Sequence, residues 1–407
     1  MYFSPSSLSN RFRSLPFIGR VAVIATPVIL VATLLFTMLA VGPTALGGKP
    51  SLKGPLSTEG ATIVDQNGQE VVLTGVNWFG LETDAYAPHG LWERNWEDML
   101  DQIEDSGFNT IRLPYTNELF EPGSTPGKAI DYSLNPDLKG LSGLDLMDRI
   151  VEGATDRGLM VLLDRHRPTA EAQTALWYNE QVSEKEWISD WVMLAEHYRD
   201  NPLVIGADLH NEPRGEATWG DGSPRTDWRL AAERAGNAVL KANPNWLIVV
   251  EGIETVDNEY YWWGGNLSGA KEAPVRLSDQ DQLVYSAHDY GPGVWEQSWF
   301  NTPDFPENLP ELWHKRWGYL QESGTAPVLM GEFGGESVDP KDTEGVWQRK
   351  LFSYLKENEM SYTYWSWNPN SGDTGGVLTD DWKTVDQAKL DLIRTHQAPG
   401  PEPTGSQ

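Results

Sequence analysis

The chain has 407 residues, with 59 acidic against 31 basic side chains and a net charge of −28. That balance argues against nucleic acid and other polyanions as partners, because docking them would set like charge against like. With no cysteine, disulfides, thiolate metal sites and cysteine nucleophiles are excluded, and cysteine usage leaves no mark of redox compartment.

Residues 1–20 carry Arg11, Arg13 and Arg20 and no acid, and Val21 to Val41 is an almost unbroken apolar run. Such a segment is an export signal or a signal anchor, and its length is just enough to span a bilayer. The small residues Ala40 and Ala45 offer imperfect cleavage sites. Either way the positive flank stays inside, so the remainder is expected to be secreted or tethered to the outer face of the cytoplasmic membrane. The expected organisation is residues 1–46 as this segment, 47–57 as a Gly/Pro/Ser/Lys linker, 58–397 as one catalytic domain and 398–407 as a Pro-rich disordered tail.

From Ala61 short apolar runs alternate with amphipathic stretches, the signature of repeated βα units. Strands are expected at Val71–Asn77, Thr110–Pro114, Met160–Asp164, Val204–Leu209, Leu247–Val250, Leu283–Ala287, Val328–Gly331 and Tyr362–Trp367. Helical patterns lie between them at Glu97 to Asp105, Leu144 to Asp156, Glu184 to Arg199, Trp228 to Lys241, Leu312 to Glu322, Thr343 to Glu357 and Thr384 to Thr395. In the third, Trp187, Trp191, Leu194, Ala195 and Tyr198 share one face and are expected in the core. The linker between the fifth and sixth strands is poorly helical.

Eight strands alternating with helices predict a (β/α)8 TIM barrel, whose active site lies at the C-terminal ends of the strands. Those ends present Asn77, Arg112, His166, Asn211 with Glu212, Glu251, His288 with Tyr290, Glu332, and Trp365. Glu212 stands at the end of an apolar strand, before Pro213, which cannot donate to a ladder. A lone Glu there would read as a solvated loop start; eight strands converging on polar or aromatic ends would not.

The fourth and seventh strands lie roughly 14 Å apart across a barrel mouth, and inward Glu212 and Glu332 side chains shorten that to about 5 Å. That is the spacing of a retaining glycosidase, in which one carboxylate attacks the anomeric carbon and the other serves as acid and then base. The two acids need different environments, one protonated and one ionised, and Arg112 is placed to hold one of them charged. Glu251 is a rival acid, or a structural one paired with a rim cation. A metal site built from His166, His288 and a Glu is a second alternative, though no paired motif such as H-E-x-x-H is present.

Six segments carry a family likeness: Thr110-Ile111-Arg112-Leu113-Pro114, Asp164-Arg165-His166-Arg167-Pro168, Leu209-His210-Asn211-Glu212-Pro213, Tyr285-Ser286-Ala287-His288-Asp289-Tyr290, Gly331-Glu332-Phe333-Gly334 and Trp365-Ser366-Trp367-Asn368-Pro369. Through them the chain resembles glycoside hydrolase family 5, and within it the bacterial cellulase branch, over roughly residues 57–397. The resemblance implies an exported retaining endo-β-1,4-glucanase acting on β-1,4-glucan, with Glu212 as acid/base and Glu332 as nucleophile. It implies that Arg112 and Tyr290 bond the nucleophile, Asn211 holds the 2-hydroxyl of the reacting sugar, His166 and His288 line its subsite, and Trp365 forms its floor. It also implies a cis peptide between Trp365 and Ser366. The aromatic richness around Trp92, Trp177, Trp262 and Trp263 suits an extended glucan cleft, with core packing the competing use. Motifs shared across the family leave mannanase or mixed-linkage activity open, as well as a non-catalytic β-glucan-binding protein on the same barrel. No cofactor and no metal are expected, the only membrane contact is the N-terminal segment, and the chain is expected to be a monomer.

Overall fold

The computed structural model describes residues 54–398. The expected N-terminal segment, most of the expected linker and the Pro-rich tail beyond Ala398 lie outside the described residues. Among the described residues no helix is long and apolar enough to cross a membrane.

Eight parallel strands close on themselves: β1 (Thr74–Asn77), β2 (Thr110–Thr116), β3 (Met160–Arg167), β4 (Val204–Asp208), β5 (Leu247–Glu251), β6 (Leu283–His288), β7 (Val328–Glu332) and β8 (Ser361–Tyr364). Each pairs with its sequence neighbours, and β8 returns to β1. All eight coincide with expected strands. Their side chains alternate, since successive residues of a strand point to opposite faces. Ile111, Leu113, Val161, Leu163, Ile248, Val250, Tyr285, Met330 and Tyr362 pack in the large core shared with the helices. The alternate positions Met160, Leu162, Leu247, Val249, Val284 and Leu329 form a second apolar cluster with Leu56 and Ile63. Leu56 and Ile63 come from an antiparallel hairpin, Ser57–Glu59 paired with Thr62–Val64, which stoppers the N-terminal end of the barrel. Burying each such side chain contributes about 1.5–3 kcal/mol. The last residues of the expected linker therefore belong to the fold: Leu56 is buried and Ser57 begins the hairpin.

The helices are α1 (Trp96–Asp105), α2 (Gly143–Asp156), α3 (Glu184–His197), α4 (Trp228–Ala242), α5 (Leu309–Trp313), which passes through a π turn at His314–Gly318 into α6 (Tyr319–Glu322), α7 (Thr343–Glu357) and α8 (Gln387–Ile393). Starts are set by side-chain caps: Asn95 accepts from the N–H groups of Glu97 and Asp98, and Ser142 forms a capping box with Asp145. α8 begins three residues later than expected because Asp381 takes the Thr384 N–H into a turn, leaving Asp386 as the cap. Between β5 and β6 the described chain has a hairpin, Thr255–Val256 with Glu259–Tyr260, and two short 3-10 turns, in keeping with its weak helical pattern. β1 starts after Val71 because the Val71 N–H goes to Ile63 of the closing hairpin. β8 ends at Tyr364, short of the expected Trp367, just before the cis peptide Trp365–Ser366.

Candidate active site

The alternation that lines the lower barrel with aliphatic side chains continues upward with polar ones. Leu162 is followed by Asp164 and His166, Val249 by Glu251, Val284 by Ser286 and His288, and Leu329, after a register shift beside β6, by Glu332. These groups are buried. Mutual pairing offsets part of their cost in desolvation.

Arg112 is the hub. Its guanidinium lies 2.6 Å from Glu332, 2.9 Å from Asp208, 3.1 Å from Asp164 and 3.2 Å from Glu251, and it also donates to Asn77 and Asn211. Asp164, Asp208 and Glu251 offer oxygens within 4.8 Å of one another, a spacing that would suit a cation, and the Arg112 guanidinium supplies one. The nitrogens of His166 and His288 also face protein groups. His166 Nδ1 is 2.7 Å from Asp164, with Gln173 at its Nε2; His288 Nδ1 is 3.2 Å from Glu212, and its Nε2 is 3.4 Å from Glu251. Most of these donor atoms face protein groups, while Asp164 Oδ1, Asp208 Oδ1 and His288 Nε2 accept or donate no hydrogen bond.

Glu212 and Glu332 sit in contrasting surroundings, one oxygen of each lying within 4.8 Å of the other and of a His288 nitrogen. Glu332 accepts from Arg112 and, at 2.8 Å, from the Tyr290 hydroxyl. Burial pushes its carboxyl up, but the charges of His288 and Arg112 and the Tyr290 hydroxyl outweigh that and hold it below the ordinary range. Glu212 is pushed up by burial, and the nearby charges of Glu332 and Glu251 add to the rise, against the opposing pull of His288. Their surroundings thus move the two carboxyls in opposite directions, Glu332 toward the ionised form and Glu212 toward the protonated one. His288 stays charged: burial would lower it, but Glu251 and Glu332 raise it well above the usual imidazole value. His166 is driven well below that value by burial and remains neutral.

Local sequence explains how Glu212 is held. Trp187 and Trp191, one turn apart on the inner face of α3, both donate their indole N–H to the Leu209 carbonyl, at 2.9 and 3.0 Å. The Asn211 N–H goes to Arg165 of β3, and Asn211 stands 3.5 Å from His166. At the end of this clamp Glu212 adopts φ 53°, a left-handed conformation uncommon outside glycine and costing on the order of 1–3 kcal/mol.

The model of the cellulase family, glycosyl hydrolase family 5, matches residues 64–371. The chain belongs to glycosyl hydrolase family 5. It is 55% identical over 346 residues to an endoglucanase of Paenibacillus polymyxa, covering 84% of this chain and 87% of that one. To the major extracellular endoglucanase of Xanthomonas campestris pv. campestris it is 44% identical over 338 residues, 82% of this chain and 69% of that one. An endocellulase from Pyrococcus horikoshii, solved with cellotetraose, superposes with a TM-score of 0.80 at 43% identity, covering 85% of this chain and 99% of that one. The protein is a glycoside hydrolase of the endoglucanase type.

In this family 5 enzyme the half-buried Trp365 ring lies parallel to His166 and Phe79, with centroids 5.5 and 5.2 Å away, and its N–H donates to Ser371. From Phe79, edge contacts pass through His89 to Trp92 and on to Trp382, so Trp92 stands at the far end of an aromatic row that begins at Trp365. Trp263, in the connection after β5, is exposed to 43%, with the Arg214 guanidinium 4.2 Å over its ring. Arg214 in turn donates to the Glu212 carbonyl. Trp177 does not reach the cleft: it is fully buried against Trp187 and Trp228, its N–H spent on Glu184. Trp262 is buried too, edge-on to Tyr290.

Sequence reasoning passed over Asp164, Asp208, Phe79 and Gln173. The two aspartates did leave a signal, because each ends an apolar strand run, as Leu-Leu-Asp and Gly-Ala-Asp. Gln173 and Phe79 lie in loops and left none.

Proposed function

We propose that this enzyme hydrolyses internal bonds of β-1,4-glucan by double displacement with retention of configuration. The observation that carries the proposal is the pair of buried carboxylates, Glu212 and Glu332, with oxygens within 4.8 Å and surroundings that push the first carboxyl up and hold the second down. Inverting enzymes need a gap of about 6.5–9.5 Å between the groups to admit water, whereas retaining enzymes need about 5–5.5 Å.

Glu332, ionised, attacks the anomeric carbon while Glu212 gives its proton to the departing glycosidic oxygen. The resulting ester cancels the Glu332 charge, which is one of the causes raising Glu212, so Glu212 becomes more acidic and suited to take a proton from the incoming water. Water then attacks the same carbon, Glu332 leaves, and two inversions restore the β-configuration. Tyr290 and Arg112 bond the nucleophile, Asn211 reaches the 2-hydroxyl, and His166 and His288 line the reacting sugar above Trp365. Trp92 and Trp263 extend the cleft on opposite sides of the scissile bond, with Trp263 beside Glu212 on the leaving-group side. The endoglucanases among its relatives and the cellotetraose bound to a related endocellulase support a glucan substrate. Export is part of the proposal, supported by the basic and apolar N-terminal sequence; cell fractionation with the N-terminal sequence of the recovered protein tests it.

The test of mechanism is NMR of the first product from cello-oligosaccharide. The β-anomer is expected, and an initial α-anomer would overturn the assignment. Glu212→Ala with added azide should yield a β-glycosyl azide, and the same assay beside mannan and xylan sets the glucan preference.

A further inference from the structure

The carboxylate of Glu251 has no part in the displacement just described, yet it touches Glu212, Arg112 and His288, three groups that govern it. It is fully buried at the end of β5. One oxygen accepts the backbone N–H of Glu212 at 2.7 Å. The other lies 3.2 Å from the Arg112 guanidinium, which bonds Glu332, and 3.4 Å from His288 Nε2. The opposite nitrogen of that same ring faces both reacting carboxylates, 3.2 Å from Glu212 and 3.7 Å from Glu332. The loop after β5 closes over Glu251: Gly264, at φ +67°, leaves the space in which the carboxylate sits, and a Cβ there would collide with it. Other groups face Glu251 from the neighbouring strands, Asp164 of β3 and Asp208 of β4, with Arg214 beyond Glu212.

We propose that Glu251 is a positioning residue of this enzyme, which fixes the acid/base through the backbone N–H of Glu212 and keeps His288 protonated between the two reacting carboxylates. The left-handed turn at Glu212 gives the first role its need, because only a fixed acceptor holds that N–H inward in a conformation the backbone otherwise avoids. The second follows from charge. His288 is fully buried, and an imidazolium persists there only beside a compensating anion. The carboxylate itself never reaches the sugar.

This inference rests on Glu212 being the acid/base, so the test runs Glu212→Ala in parallel. For Glu251→Gln, kcat/KM on cello-oligosaccharides should fall about 100-fold, while kcat/KM on a dinitrophenyl cellobioside, whose leaving group needs no proton, falls less than about 5-fold. The ¹⁵N imidazole resonances of His288, protonated through neutral pH in the parent, should titrate at lower pH in this variant. Glu251→Asp keeps the charge but withdraws it by one methylene. It should leave the His288 titration in place while still impairing the natural substrate, and it carries the test if Glu251→Gln fails to fold. Equal losses on both substrates, or full activity in both variants, would overturn the proposal. If Glu212→Ala itself shows no discrimination between leaving groups, the acid/base assignment has failed instead.

Discussion

The two ends of the barrel interior are built from the same strands on opposite principles. Below, Leu162, Val249, Val284 and Leu329 meet Leu56 and Ile63 in an aliphatic layer that needs no partner beyond shape. Two residues further along three of those strands, Asp164, Glu251 and Ser286 form part of a layer where four carboxylates share the Arg112 guanidinium. The lower layer gains stability from each side chain separately. The upper one is stable only as a set, since an uncompensated buried charge costs several kcal/mol. The difference teaches that the mouth is organised for chemistry, and that its parts are coupled where those of the floor are independent.

The sharpest break of this contrast is Glu332→Gln. Turnover on soluble cellulose derivatives should fall by roughly 10⁴-fold or more, the scale on which removing a catalytic nucleophile acts. Thermal stability should fall only modestly beside that loss, because the charge that His288 and Arg112 hold on Glu332 is favourable in the fold, and reducing-end release together with a melting curve measures both. Arg112→Met takes away the shared cation and should destabilise by about 3–5 kcal/mol in urea unfolding at pH 7. The loss should shrink toward pH 5, because the stranded carboxyls then take up protons. Burial has already pushed Asp208 up to about 6 and Glu251 to about 7 with the arginine in place. A loss that does not change with pH would show that the upper layer is not coupled through charge.

Leu162→Ala, in the lower layer, should cost about 3 kcal/mol by leaving a cavity, and by the same amount at pH 5 and pH 7. The smallest effect is expected at Glu82, in the loop after β1, whose buried carboxyl is pushed up to about 7 by desolvation. Between the ordinary carboxyl value and 7 the folded protein binds more protons there than the unfolded chain does. Stability from this group is therefore present at low pH and lost as pH rises through 7, by on the order of 2 kcal/mol. Glu82→Gln should flatten that slope while retaining the acceptor for the Gly80 N–H. An unchanged slope in urea titrations from pH 5 to pH 8 would exclude Glu82 as its source.

Much of this was written locally. Apolar runs of strand length and their period-2 alternation sufficed to place all eight strands and to bring Arg112, His166, Glu212, His288 and Glu332 to one end, because both signals are carried by neighbours in the chain. The tryptophan face of α3 was open to the same reading, as helical spacing is local too. What the tertiary structure alone decided is partnership. Arg112 and Glu332 are 220 positions apart, and Arg112 and Glu251 are 139 apart, so nothing in either neighbourhood says that one cation serves several acids. For the same reason Trp177 and Trp263 looked alike in the chain, though one is core and the other half exposed beside Glu212. The barrel follows from which residues avoid water, a property of each short segment; the charge states at its mouth follow from which buried groups meet, and that is settled only when distant strands close the ring.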